Sequence, residues 1–163
     1  MTFQNPEANR NDRDCISTLH EMRTLLRNVS GTDPLHKHIT RYVVIVCSGA
    51  IEREFKSIIA DFVSVGCSAQ VNNYFDLTVR QSPTNPYTEN IKKLLKKFDD
   101  NWASQFGQLI NVSPRRNIDA LKSLVDNRNQ VAHGHPISTT FNDVVKFYCR
   151  SRNVIGILEK ILR

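Results

Sequence analysis

Apolar residues in this chain recur three and four positions apart through almost every segment, and nowhere do they alternate with polar residues over the length of a strand. No Asn-Gly hairpin turn interrupts the pattern. The period predicts an all-α chain. A first helix is expected from about Asn11 or Asp12, with Ile16, Leu19, Met22, Leu26 and Val29 on one face, ending before Ser30-Gly31. Asp33-Pro34 restarts helix, the carboxylate capping and the proline occupying the first helical position.

The second helix is predicted to be long, from about Leu35 to Val65, with Val44, Cys47, Ile51, Phe55, Ile58 and Phe62 as its inward stripe. Its central run Ser48-Gly49-Ala50 permits close approach by another helix, of this chain or of a second protomer. After Gly66 a short helix carries Val71, Tyr74, Phe75 and Val79, and Gln81 to Pro86 reads as a loop. Thr88 is placed to cap a helix with Ile91, Leu94, Leu95 and Phe98 inward and Lys92, Lys93, Lys96 and Lys97 outward. Trp102 and Phe106 continue the pattern as core residues. Ser113 and Pro114 are read as N-cap and first residue of the next helix, which starts with Arg115 and Arg116 and buries Ile118, Leu121 and Val125. It is expected to stop near His133, because Gly134 suits the left-handed C-terminal position and Pro136 forbids continuation. Thr140 and Asp143 form a capping-box pattern for a last helix with Phe141, Val144, Val145, Tyr148, Ile155, Leu158 and Leu162 inward.

A chain of 163 residues is long enough to bury a core without disulfide or metal staples. One domain is expected over 11–163, preceded by a polar, flexible arm over 1–10 that lacks the apolar core of a secretory signal. The longest apolar stretch, Tyr42 to Cys47, falls far short of the roughly 20 residues a membrane span needs. Cys15, Cys47, Cys67 and Cys149 are scattered singly, without metal-site spacing, which fits a reducing cytoplasm. Cys47 and Cys149 fall in apolar helical patterns and are read as small buried hydrophobes. A net charge of +6 and a pI near 9.3 favour a polyanionic partner, with nucleic acid the leading one. Lys92, Lys93, Lys96, Lys97, Arg115 and Arg116 are the candidate phosphate-backbone contacts.

Chemistry concentrates in Asp126-Asn127-Arg128-Asn129-Gln130-Val131-Ala132-His133-Gly134. Arginine forks onto phosphate oxygens, and histidine both takes and gives a proton near neutral pH, which suits phosphodiester chemistry. Spacing alone is a poor guide, since Arg13 and His20 fit the same loose pattern. Context separates them. Arg128 continues an apolar stripe, where a permanent charge needs a partner or a ligand. Asn129 and His133 lie one turn apart on one face, and Arg128 is long enough to swing toward it. Against this stands a structural role: His133 as a helix C-cap and Arg128 as the partner of a carboxylate such as Glu52 or Glu54. His135 is within reach from the following loop.

The stretch Ser123 to Gly134 resembles the signature of HEPN domains. Arg41 to Glu54 is similar to the long second helix of the RiboL-PSP-type HEPN family, and Asn85-Pro86, Ile91 to Leu95, Phe98, Trp102 and Val144 to Ile155 resemble its middle and last helix. The resemblance implies an up-and-down helical bundle with extra short helices that pairs as a homodimer, joining two arginine-histidine segments in one cleft. It implies a metal-independent endoribonuclease without cofactor, acting in a bacterial toxin or phage-defence setting. A cognate antitoxin or neighbouring defence protein is then a partner beside RNA. Arg128, Asn129 and His133 carry over as the catalytic residues, and the resemblance assigns His135 no role. Two alternatives stand beside this reading: a non-catalytic RNA-binding or protein-interaction module of the same fold, and a DNA-binding helical domain.

Overall fold

The computed structural model describes residues 2–163, and in it the helical period is realised throughout. The order is α1 (Pro6–Leu26), α2 (Pro34–Ser64), α3 (Ala69–Phe75), a π-helical turn (Asp76–Arg80), α4 (Thr88–Lys96), α5 (Asp100–Val112), α6 (Arg115–Ala132) and α7 (Phe141–Ile161), with no strand among the described residues. The long helices α1, α2, α6 and α7 pack into a bundle in which α2 touches the other three. Helices α4 and α5 pair with each other and join the bundle through α5 against α7, while α3 and the π turn lie on α2. No described helix is long and apolar enough to cross a membrane.

Several boundaries follow the expected signals. Asp33 accepts from the Leu35 N–H at 2.8 Å, with Pro34 next, and Thr140 with Asp143 forms a reciprocal capping box. Other boundaries differ. The first helix starts at Pro6, not Asn11, because Asn5 caps it by accepting from the Ala8 N–H at 2.8 Å. The expected flexible arm over 1–10 is therefore corrected for its described residues: Phe3 and Ala8 are buried, and one Glu159 oxygen accepts from the Gln4 and Asn5 N–H groups, both at 2.7 Å. Ser113 is the C-cap of α5 and Pro114 the N-cap of α6, and Thr88 is the first helical residue after a Tyr87 cap, so neither Ser113 nor Thr88 is the N-cap expected of it. Cys149 is exposed and is not a core residue, whereas Cys15 joins Cys47 inside with their sulfurs 3.8 Å apart. Ser48 and Ala50 face this chain's own core. Phe62, expected inside, is partly exposed and meets Trp102 edge-on at 5.3 Å.

Where α1, α2 and α7 meet, the core is polar. The Tyr148 hydroxyl lies 2.9 Å from both Asp12 Oδ1 and Glu54 Oε1, and Arg152 pairs with Asp12 at 2.7 Å. A phenol has one hydrogen and cannot donate to two carboxylates. Burial pushes the Glu54 carboxyl up from 4.5 to about 8, an effect only partly offset by Tyr148. At neutral pH a protonated Glu54 therefore donates to the Tyr148 oxygen, and Tyr148 donates to Asp12.

Because the folded value lies above the unfolded one, the neutral carboxyl's contribution to stability is complete below about pH 4.5. It is lost as pH rises toward 8, at up to about 1.4 kcal/mol per pH unit. Glu54→Gln, which keeps a neutral donor, should remove that slope. Urea midpoints taken between about pH 5 and about pH 8 are expected to fall more steeply for the native protein than for the variant; parallel curves would show Glu54 to be ionised in the fold.

Candidate functional site

Helix α6 runs from Arg115 to Ala132 and turns Asn117, Ala120, Leu121, Leu124 and Val125 into the bundle. Its end is a Schellman turn. The His135 N–H reaches the Gln130 carbonyl at 2.9 Å, the Gly134 N–H reaches Val131 at 3.1 Å, and Gly134 takes a φ of +77°. His133 is the C-cap residue, as one of the sequence readings had it. Arg41 of α2 closes the turn from outside, donating to the His135 carbonyl at 3.2 Å and the Val131 carbonyl at 3.5 Å. The His133 and His135 rings are both exposed, with centroids 6.4 Å apart.

One turn back, Arg128 lies between two partners. Its Nη1 donates to Asn129 Oδ1 at 3.1 Å, and its Nη2 stands 3.7 Å from Glu52 Oε2. Of the two carboxylates the sequence offered as its partner, Glu52 is the one, and Glu54 faces the opposite side of α2. A guanidinium carries five N–H donors, so donors remain on Arg128, whose side chain is 35% exposed.

This pair belongs to a longer relay. Tyr87 donates to Asp126 Oδ1 at 2.6 Å, and with its one hydrogen committed its oxygen accepts from Asn129 Nδ2 at 3.3 Å. That fixes the Asn129 amide with its oxygen toward Arg128. Burial, the bond to Asp126 and the Asp126 charge push the Tyr87 hydroxyl up to about 12, so it stays protonated. At the other end the buried Lys56 donates to Glu52 at 2.5 Å and to the Ser82 carbonyl. Asp126, Tyr87, Asn129, Arg128, Glu52 and Lys56 thus form one connected string.

Arg128 and Asn129 are brought together as the sequence suggested. His133 sits one turn further on, exposed and hydrogen-bonded to neither among the described residues. Lys92, Lys93, Lys96 and Lys97 all lie on the exposed side of α4, where Lys96 reaches Asp100 at 3.8 Å. Arg115 pairs with Asp119 at 3.1 Å, and Arg116 is exposed. Among the described residues no three of His, Cys, Asp and Glu gather closely enough to chelate a metal ion. Tyr87 and Lys56 have no place in the sequence analysis, and Asp126 and Arg41 enter it only as the first residues of longer segments, without a role. Tyr87 had one available signal, its position behind Pro86 at a helix start, but its partners lie 39 and 42 residues away. The arrangement offers a part-exposed cation with spare donors and an imidazole on one helix, which together can grip an anion and exchange a proton beside it.

The family model for RiboL-PSP-HEPN matches residues 11–162. No curated protein and no solved structure matches the chain.

Tyr87→Phe cuts the string in its middle and should cost about 1 kcal/mol of stability, seen as a lower urea midpoint with unchanged slope; an unchanged midpoint would show that the phenol anchors nothing. Gly134→Ala forces a side chain into the left-handed region where nothing crowds it, so the expected loss of about 1 kcal/mol is conformational. A thermal melt checks it, and an unchanged melting temperature would overturn the Schellman assignment.

Proposed function

The chain belongs to the RiboL-PSP-HEPN family, and from that premise we propose that it is a metal-independent endoribonuclease whose site is completed by a second copy of the same chain. The observation that carries the reading is the Arg128 guanidinium, steered by Asn129 and Glu52 yet with donors to spare, one turn from an exposed His133 on the same helix. A two-fold dimer places two such segments face to face, so that one scissile phosphate meets two arginines.

RNA brings its own nucleophile. The 2′-oxygen attacks phosphorus, a new P–O2′ bond forms, and the P–O5′ bond breaks. His133 takes the 2′-hydroxyl proton, and a proton is returned to the departing 5′-oxygen, by the same imidazole or its counterpart in the second copy. Arg128 neutralises the charge gathered on the non-bridging oxygens. Asn129 holds Arg128 in place. The products are a 2′,3′-cyclic phosphate and a 5′-hydroxyl, and DNA, lacking the nucleophile, is left intact. The exposed lysines of α4 with Arg115 and Arg116 supply sequence-independent attraction for the strand. We place this activity in the cytoplasm, in a toxin or phage-defence setting where a cognate antitoxin or neighbouring defence protein holds it in check.

One observation favours a second reading. No partner orients the His133 ring among the described residues, whereas a proton-transferring histidine is normally held by a third group. A module that binds RNA or protein without cutting would tolerate such a ring.

Incubating the purified protein with total RNA, with and without EDTA, separates the two. The ribonuclease reading expects cleavage indifferent to EDTA and cyclic-phosphate ends. It also expects a loss of about 10²-fold or more in Arg128→Ala and His133→Ala proteins that remain folded and dimeric by light scattering. Salt-sensitive RNA binding without cyclic ends would establish the module instead.

A further inference from the structure

Beside the relay lies a cleft of which the function proposed above uses only Arg115, as a strand contact. It has a volume of about 400 Å³ and opens between the start of α4, the end of α5 and the first half of α6. Ile110, Ile118 and Leu121 form its floor, and Tyr87, Glu89, Asn111 and Lys122 stand around them. The volume falls in the range of small-molecule sites, and an apolar base with a few polar groups at the rim is how such sites are built.

Its position ties it to the candidate site. Tyr87 is a wall of the cleft and also the residue whose hydroxyl joins Asp126 to Asn129. Along α6, Asp119, Lys122, Asp126, Asn129 and His133 follow one another at three- and four-residue spacing and so share a face. Lys122 and Asn129 are seven residues apart, about 10 Å along the axis at a rise of 1.5 Å per residue. A strand whose phosphate rests on Arg128 and that runs along this face toward the start of α6 reaches the mouth of the cleft within a few nucleotides.

The rim chemistry selects among occupants. Glu89 and Asp119 contribute carboxylates and Asn111 an amide, while Arg115 is already paired with Asp119 at 3.1 Å. The two carboxylates offset the two cations Arg115 and Lys122, so the rim has no net pull on a free anion, and a rim this polar disfavours an aliphatic ligand. Carboxylates accept from the amino groups of bases, and asparagine suits adenine. Glu89 and Lys122 form no ion pair or side-chain hydrogen bond among the described residues, so both are free for a ligand.

We infer that this cleft binds a nucleobase of the RNA strand next to the phosphate held at Arg128, and that it prefers bases bearing an exocyclic amino group over uracil. Ile118 packs against the ring, Glu89 accepts from its edge and Asn111 accepts from or donates to it, and Lys122 takes a phosphate oxygen outside. With two acids and two bases around it, the cleft adds selection rather than attraction. The inference rests on the ribonuclease reading for its substrate, but its test does not require turnover.

Short 2′-O-methyl oligonucleotides of A, C or U block the nucleophile and cannot be cut. By fluorescence anisotropy with the full chain, the A and C oligonucleotides are expected to bind about tenfold tighter than U. Glu89→Ala and Asn111→Ala should shrink that ratio toward one, while Arg128→Ala should weaken all three and keep the ratio. Equal binding of the three by the native protein, or a ratio unmoved by both cleft substitutions, would overturn the inference. A protein that keeps the ratio but never cuts RNA would retain the cleft and lose the ribonuclease reading; one that cuts RNA with no ratio would do the reverse.

Discussion

Helix α2 carries two glutamates on opposite sides, and the rest of the molecule is arranged about them. Glu52 and Glu54 are two residues apart, roughly 200° around a helix of 3.6 residues per turn. Glu54 enters the core with Tyr148, Asp12 and Arg152 and so ties α2 to α1 and α7. Glu52 looks the other way, toward Arg128 of α6. Burying carboxylates is costly unless hydrogen bonds compensate. Here one side resolves the cost by keeping a proton and the other by gathering two cations, Lys56 and Arg128.

The same division explains the quality of the site. An arginine on a helix surface samples many rotamers, and a phosphate arriving there must order it first. Arg128 is steered from two directions, by an amide whose own orientation is set by a phenol and by a carboxylate whose second oxygen is held by a buried lysine. Every link except Glu52 to Arg128 is within hydrogen-bond distance. That one gap, at 3.7 Å, is wider than a hydrogen bond and leaves the guanidinium room to turn toward an anion.

Much of this was legible in the sequence because it is local. The Gly134 and Pro136 pair marks the end of α6, Thr140 and Asp143 mark the start of α7, and Asp33-Pro34 marks α2, since each signal acts within a few residues. Asn5 and Pro6 carry the same kind of signal for α1, but the polar composition around them conceals that Glu159 anchors the preceding backbone across some 155 residues. Cys149 shows the opposite failure: the apolar pattern around it is real, but its register on α7 points outward. At the candidate site, the Arg128–Asn129 contact is legible because the two are neighbours, and Glu52 because an arginine on an apolar stripe demands a carboxylate. Tyr87 caps α4 and Arg41 lies on α2, segments brought alongside by tertiary packing, and no pattern within either names the residues it will meet.

The Schellman turn has a consequence for motion. Arg128 and Asn129 ride on α6 and His133 caps it, and the turn and Arg41 hold the Gln130 and Val131 carbonyls at its end. There is no hinge in the backbone between Arg128 and His133, so the spacing of their Cα atoms is a constant of the α-helical repeat, like marks on a ruler, and only the two side chains turn. Loop closure or domain bending within the chain has no means of bringing them nearer. Whatever turns such a site on or off acts from outside the ruler, by shifting the helices beside α6 or by changing what is laid against it.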